Sequence, residues 1–567
     1  MNPSPSLPQH DAANSEDRKQ LLYAARQQYQ YDHDYLSPLA MLFVPHAWPP
    51  SLEEDVIGPL RDLPDAERVA PEFLYPRWAP AFSTLPSNNR RIQVNPDGGL
   101  PAYAQLYPLL PPPRSIARWQ DDDYFAYQRL NGPNPMVIRQ VRRRNELPEQ
   151  FAVTDALFQR VTGGRATLAD EIAEGRIFLS DYALLAPAQG IHKIPDPDDP
   201  KHLTTRYLAA PFGLFWWNPA KARLEPIAIQ LERVPGEKNP VYTPKDDPAA
   251  WLRAKVFFQA ADLNYHELST HLCRAHFALE TFTVATGRQL APAHPVHVLL
   301  TPHFEAMVYN NFQGRQVLVN PGGTLAKVLA APLELALDVI RDSYRTLNFR
   351  QFCPVTEIAE RMDPGVLDGA FFYRSDALAV WDAVQSFVRQ YVKVYFPSDP
   401  EVAKDTEIQG WARELTSPSG GNVRGFPDRI ATVEQLASVL APIVFTCGPQ
   451  HAAVNFPQWD YMAFTPNMPG FARQAPWEAK SVLEILPDIP AAIGQLSTVY
   501  TLTCYRYGRL GQYGAAIADK PVQPAVEAFQ KALAAIHTTI DERNRKLPLE
   551  AQYPYLDPEL IPNSNNI

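Results

Sequence analysis

Residues 251–286 read WLRAKVFFQAADLNYHELSTHLCRAHFALETFTVAT, with neither glycine nor proline. Asp246 and Asp247 precede the stretch as amino-terminal helix signals, and Gly287 follows it as a stop. The pattern predicts one helix. At a rise of ~1.5 Å per residue it would be about 54 Å long. A helix so long cannot lie only on the surface of a compact domain, so it is expected to run through the core.

The same stretch carries His266, His271 and His276, and three more histidines, His294, His297 and His303, follow soon after. Six of the 13 histidines therefore fall between residues 266 and 303. Histidine is the commonest metal ligand, so the clustering points to a metal site. The segment His266-Glu-Leu-Ser-Thr-His271 invites comparison with the zinc motif HExxH, which sets two histidines at i and i+4 on one helical face. Here the spacing is i, i+5. Five residues of regular α-helix rotate by roughly 140°, so the two rings would diverge. They converge only if the helix widens locally to π geometry, a distortion found mostly at functional sites. The spacing thus argues against a zinc protease and predicts a π-bulge between 266 and 271. His276 reads as a buried supporting histidine, and His294, His297 and His303 as hydrogen-bonding loop residues.

Outward from this helix, further helical patterns cover 323–347, 375–395, 433–447, 478–507 and 524–546. Toward the amino terminus, residues 1–16 read as a disordered or loosely docked leader and Glu16 to about Tyr31 as a helix. The apolar run Leu36 to Val44, with His46-Ala-Trp-Pro-Pro50, reads as a helix packed on the body, with an apolar surface that touches a membrane or a partner as the alternative. Residues 70–115 are rich in proline and read as an arm wrapping the main domain. Residues 119–235 hold β-like runs such as Pro226-Ile-Ala-Ile-Gln-Leu-Glu232, so a small sheet is expected there. The architecture is mainly α with a minor β part.

Composition bounds the function classes. The chain is 46% hydrophobic and 20% charged, as for an ordinary folded protein. Its net charge of −10 gives no ground for a nucleic-acid partner. The 58 prolines amount to roughly double the usual share, so proline-punctuated connections should separate the helices. Cys273, Cys353, Cys447 and Cys504 are too few and too scattered for a disulfide framework. Met1 to Gln20 has no apolar signal region, and the reading is a cytoplasmic protein with candidate peripheral membrane contact through 36–48.

Two more features bear on the metal. Gln450-His-Ala-Ala-Val-Asn-Phe-Pro-Gln-Trp-Asp460 puts His451 and Asn455 at i, i+4 on one helical face, with small residues between them. The end of the chain, Ile561-Pro-Asn-Ser-Asn-Asn-Ile567, closes on an apolar β-branched residue after a polar run. Alone, each of these features is weak.

Together they resemble the lipoxygenase family. Its signature has two histidines five apart on a π-distorted helix, a later histidine–asparagine pair and a carboxyl-terminal isoleucine. The matching pieces are His266 to His271, Val284-Ala-Thr-Gly-Arg-Gln-Leu290, His294-Pro, His451 to Asn455, Ile561-Pro-Asn-Ser and Ile567. Trp119-Gln-Asp-Asp, Tyr127-Gln-Arg-Leu-Asn-Gly-Pro-Asn-Pro135 and Phe445-Thr-Cys-Gly-Pro-Gln450 match as well. The resemblance covers about residues 115–567. It implies a large helical catalytic domain over 115–567, behind an amino-terminal helical and proline-rich extension over 1–114. It further implies a barrel-less, bacterial-type member, because these first residues do not read as the β-barrel of plant and animal relatives.

The resemblance implies one non-haem iron held by His266, His271, His451, Asn455 and the carboxylate of Ile567, with Gln458 orienting Asn455. Manganese would fit the same donors. It implies a dioxygenase acting on polyunsaturated fatty acids with a cis,cis-1,4-pentadiene, such as linoleate, linolenate or arachidonate. In the family a ferric hydroxide removes a bis-allylic hydrogen, and O₂ traps the radical as a hydroperoxide. Three neutral imidazoles, an amide and one carboxylate keep ferric iron electron-hungry, which suits that step. The family's stereochemical position corresponds to Ser343, where relatives carry alanine or glycine. The arginine that plant members place 13 residues after the asparagine ligand is Met468 here, and nearby Arg473 reads as a surface charge. The expected partners are the fatty acid and O₂, with the chain a monomer. A metal-dependent hydrolase using His266, Glu267 and His271, and a silent family member serving as scaffold, are the competing readings.

Overall fold

The computed structural model describes residues 5–31, 60–195, 201, 203–319, 322–505 and 507–567. The apolar 36–48 segment, with Leu39, Leu42 and Phe43, lies outside the described residues.

The helix through the core is present and continuous in three parts: α over Pro248–Tyr265, π over His266–Phe277 and α again over Ala278–Gln289. Asp247 caps its start, accepting from the Ala250 N–H at 2.9 Å, with Pro248 in the first turn where a missing N–H is harmless. Nearly every side chain along the helix is buried, as its apolar all-round composition requires. The π segment spans twelve residues, longer than the bulge expected between 266 and 271. Gly287 does not stop the helix, which runs on to Gln289. It serves a close approach instead: a Cβ there would meet the Tyr29 ring at 3.0 Å. The helix Ser15–Gln28 thereby seats its carboxyl-terminal Tyr29 on the core helix.

A second core helix, Val433–Phe445, passes through a π turn at Thr446–Gln450 into His451–Asn455. Pro449 has no N–H to give the Phe445 carbonyl, so the α ladder is interrupted where the π turn forms. The apolar stretch Val433–Met462 is long enough to cross a membrane by length and composition, yet 89% of its window is buried inside the protein. Its hydrophobicity is spent on the core.

The sheet expected between 119 and 235 exists and is antiparallel. Its strands are β1 (Arg139–Gln140), β2 (Ile177–Asp181), β5 (Phe212–Asn218), β6 (Arg223–Gln230) and β7 (Val241–Tyr242), in the order β1-β2-β5-β6-β7. A hairpin of β3 (Gly190–Pro195) and β4 (Leu203–Leu208) stands apart from it. Gly213 on β5 admits the Phe258 ring of the core helix, since a Cβ would lie 2.5 Å from that ring. Phe125 packs edge-on to Phe258 at 5.3 Å, so sheet, helix Asp122–Asn131 and core helix share one aromatic cluster. Helices hold 56% of the described residues and strands 8%, which makes the fold mainly α.

Three expectations are corrected. The described part of the leader is docked: Leu7 is buried, Ser6 N donates to Ala293 O at 2.8 Å, and Arg18 bridges Asp11 and Glu407. Within the proline-rich arm, Pro71–Arg91 is a helix with Pro76, Pro80 and Pro86 inside it. Asn88 pins that helix by donating to Leu106 O and accepting from the N–H groups of Leu109 and Leu110. The single helices expected at 323–347 and 478–507 are each divided, into Thr324–Val328 with Leu333–Thr346 and into Val482–Ile485 with Ile489–Thr503. Pro332 divides the first, and Pro487 and Pro490 the second, as the backbone preference before proline dictates.

Candidate metal centre

The two π segments face each other in the core and bring three imidazoles together. His271 and His276 come from the first, and His451 immediately follows the second. The Nε2 of His276 lies 3.1 Å from the Nε2 of His271 and 3.0 Å from the Nε2 of His451. All three rings are buried.

The convergent trio holds His276 where the sequence reading had placed His266. His276, read from sequence as a supporting histidine, completes the convergent trio. His266, expected as a ligand, directs its Nε2 to the Val454 carbonyl at 2.9 Å. The physical reason is the width of the distortion. A π stretch running on to Phe277 turns His276 onto the face of His271, whereas His266 stands at its first residue. Spacing alone could not choose, because 266/271 and 271/276 are both i, i+5. His266, Glu267 and His271 form a second potential metal group. Glu267, however, faces His271 Nδ1 at 3.3 Å and His266 Nδ1 at 3.6 Å, so its carboxylate backs the imidazoles.

The tautomers follow from the outer partners. The Nδ1–H of His271 points to the Glu267 carboxylate, and that of His276 to Asn311 Oδ1 at 3.1 Å. Each ring then turns an Nε2 lone pair inward. Burial lowers the proton affinity of His271, and the Glu267 hydrogen bond only partly opposes it. Burial, with His271 beside it, pushes His276 down to about 3. Burial and the neighbouring histidines likewise hold His451 well below the usual range. The Nε2 lone pairs of His271 and His276, 3.1 Å apart, repel unless a cation lies between them. Two nitrogens bound to one cation at about 2.1 Å stand about 3.0 Å apart at right angles and about 3.4 Å apart at the tetrahedral angle. The observed spacings of 3.0 and 3.1 Å are short enough for the three nitrogens to share one cation.

Asn455 is fully buried, its Oδ1 accepting from Gln458 Nε2 at 2.9 Å and its Nδ2 donating to Leu502 O at 2.9 Å. Residues 561–567 are all buried, Ile567 included. Several contacts hold this tail. His303 Nδ1 meets Asn563 O at 2.9 Å, Asn565 Nδ2 donates to Ala275 O at 2.6 Å, and Gly448 lets Pro562 O approach where a Cβ would stand 2.6 Å away. The tail thus touches both π segments and runs beside the residue preceding His276. No thiolate competes: burial pushes the Cys273 thiol up to about 12 and raises Cys447 as well. Nitrogen and oxygen donors without sulfur fit iron or manganese.

Of the other expected residues, Ser343 is buried with its Oγ 2.7 Å from Ser269 Oγ, against the first π segment. His294 accepts from Val296 N and contacts Asp405, and His297 meets Leu290 O. Met468 is buried, and Arg473 donates to Leu483 O. Asn311 was not singled out from the sequence, since it lies 35 residues beyond His276 and only the fold joins them.

Residues 110–553 match the sequence model of the Lipoxygenase family. The chain belongs to the lipoxygenase family. It is 35% identical over 483 residues to the allene oxide synthase-lipoxygenase protein of Plexaura homomalla, covering 80% of this chain and 44% of that protein. It is also 35% identical over 463 residues to the polyunsaturated fatty acid lipoxygenase ALOX15B of Rattus norvegicus, covering 80% of this chain and 66% of that one. The chain thus spans less than half of the first relative and about two thirds of the second. Among solved structures it is similar to coral 8R-lipoxygenase, with a TM-score of 0.85 and 30% identity over 100% of this chain and 83% of that one. An anaerobic structure of a LOX variant in complex with arachidonate is similar to the same degree, with a TM-score of 0.85, 30% identity and the same coverage.

Proposed function

We propose that this chain is a non-haem iron dioxygenase that inserts O₂ into polyunsaturated fatty acids bearing a cis,cis-1,4-pentadiene, giving hydroperoxides. The observation that carries the reading is the meeting of the His271, His276 and His451 Nε2 atoms at 3.0 and 3.1 Å. Iron, when bound, supplies a one-electron oxidant at which a weak bis-allylic C–H bond can break. The remaining work belongs to the chain. His271, His276 and His451 hold the metal as neutral donors. Asn455, oriented by Gln458, offers a neutral oxygen, and the Ile567 carboxylate is the single anionic donor. Glu267 and Asn311 fix the inward-facing nitrogens of two of the rings. Burial around the site excludes bulk water, so a fatty-acid radical would meet O₂ rather than solvent. Ser343, tied to Ser269, is the proposed stereocontrol residue. The arachidonate complex of a structural neighbour supports a fatty-acid substrate, and manganese remains compatible with the donor set.

The test is direct. Purified protein loaded with iron is mixed with linoleate and with arachidonate in air, and ultraviolet absorbance is followed for a conjugated diene. Diene formation with O₂ consumed one for one supports the reading. An iron-loaded protein that makes no diene from either acid contradicts it. Adding residues after Ile567 should abolish both iron retention and diene formation, and a fully active extended protein would remove Ile567 from the ligand set.

A further inference from the structure

We infer that Asn311, held in one orientation by Glu280 and Arg315, is a positioning residue that decides which ring nitrogen of His276 faces the metal. The inference rests on the metal reading above. Asn311 is buried, on the helix Met307–Val317 packed against the core helix. Its Oδ1 lies 3.1 Å from His276 Nδ1. Its Nδ2 donates to Glu280 Oε2 at 3.1 Å and to the His276 carbonyl at 3.3 Å.

The amide could in principle be turned over. Its nitrogen would then face His276 Nδ1 and its oxygen would face Glu280. Glu280 forbids this. It is fully buried and paired with Arg315, whose NH1 donates to Oε2 at 2.7 Å and to Oε1 at 2.8 Å. Leu60 N donates to Oε1 as well, at 2.7 Å. Beside an always-charged guanidinium, this carboxylate accepts hydrogen bonds and offers none. An amide oxygen against it would set acceptor against acceptor in a dry interior, so the NH₂ must face Glu280. The amide oxygen is left for His276 Nδ1, which must carry the proton. Nε2 is then a lone pair, aimed at His271 and His451.

The three rings are backed differently. A carboxylate stands behind His271 and a neutral amide behind His276, while His451 Nδ1 has no hydrogen-bond partner among the described residues. Backing groups of this kind orient metal-bound imidazoles, and losing one typically weakens metal affinity by about 10- to 100-fold.

The experiment is an anaerobic Fe(II) titration of metal-free protein against a competing chelator, with circular dichroism and melting of each metal-free form as the folding control. Asn311→Leu is expected to weaken Fe(II) binding by about 10- to 100-fold. Glu280→Gln, nearly isosteric, is expected to weaken it too, because a glutamine can satisfy either orientation of Asn311. Should Asn311→Leu fail to fold, Glu280→Gln carries the test. The exchanged pair Asn311→Asp with Glu280→Gln restores an acceptor facing His276 and a donor facing residue 311, and is expected to recover most of the loss. A merely structural role would move melting without this recovery of affinity. Single variants that fold and bind Fe(II) as tightly as the parent overturn the inference, as does an exchanged pair no better than Asn311→Leu. A parent that takes up no Fe(II) instead overturns the metal reading itself.

Discussion

His266 and His276 stand five residues on either side of His271, and their side chains have opposite fates. His276 Nε2 joins two other imidazole nitrogens, while His266 Nε2 meets a backbone carbonyl. The difference is measurable. His276→Ala should fold and lose its metal. His266→Ala should keep metal binding but lose about 1–3 kcal/mol of stability, because the buried Val454 carbonyl is left without its partner. Metal analysis and denaturant melts on both variants decide this, and a His266→Ala protein devoid of metal would contradict it. Sequence made the histidine series and its π requirement legible, since both depend only on local spacing. It could not choose the pair, because that choice depends on Glu267, Asn311 and His451 meeting in space.

At the scale of elements, two glycines show why local rules misled or fell silent. Gly287 has the sequence context of a helix stop, yet the helix continues and the glycine makes room for Tyr29. Replacing an interior helical glycine with alanine ordinarily gains about 1 kcal/mol. Gly287→Ala should show no such gain in the parent, where the ring stands 3.0 Å from the new Cβ, and should show it when Tyr29 is also cut to alanine. Paired thermal melts give the answer, and an equal gain in both backgrounds would falsify the packing argument. Gly448 lies inside the second π turn, three residues before His451, and its missing Cβ is the space occupied by Pro562 O. Gly448→Ala should displace the tail and lower metal affinity, by at least tenfold if Asn455 and Ile567 are ligands. An unchanged Fe(II) dissociation constant would argue that the tail does not reach the metal. No sequence pattern announces such a contact, because it joins residues over a hundred positions apart.

Across the whole molecule, neutral buried histidines tie the tail and the metal region to the body. Burial pushes His303 down from 6.5 to about 4, and the hydrogen bond to Asn563 O only partly opposes it. Burial lowers His297 as well. The unfolded chain therefore binds protons that the folded chain refuses. Stability is fully present above about pH 6.5 and falls as pH drops toward 4, with His303 contributing up to about 3 kcal/mol of the loss. Melting of the metal-free protein across that window should be flatter for His303→Asn than for the parent, and an equally steep fall in the variant would remove His303 as a cause. The mainly α architecture, the helix through the core and the minor sheet were all legible, because each rests on periodicity or on runs without glycine and proline. The docking of the leader and the helix through Pro76, Pro80 and Pro86 were not, since tertiary contacts there override local propensity.

The central claim is that one metal is held by His271, His276 and His451. Iron per chain, measured after identical anaerobic loading and desalting of the parent and of four single alanine variants, tests it most directly. One iron is expected in the parent, one in His266→Ala and none in His271→Ala, His276→Ala or His451→Ala. Iron retained by His276→Ala and lost by His266→Ala would contradict it.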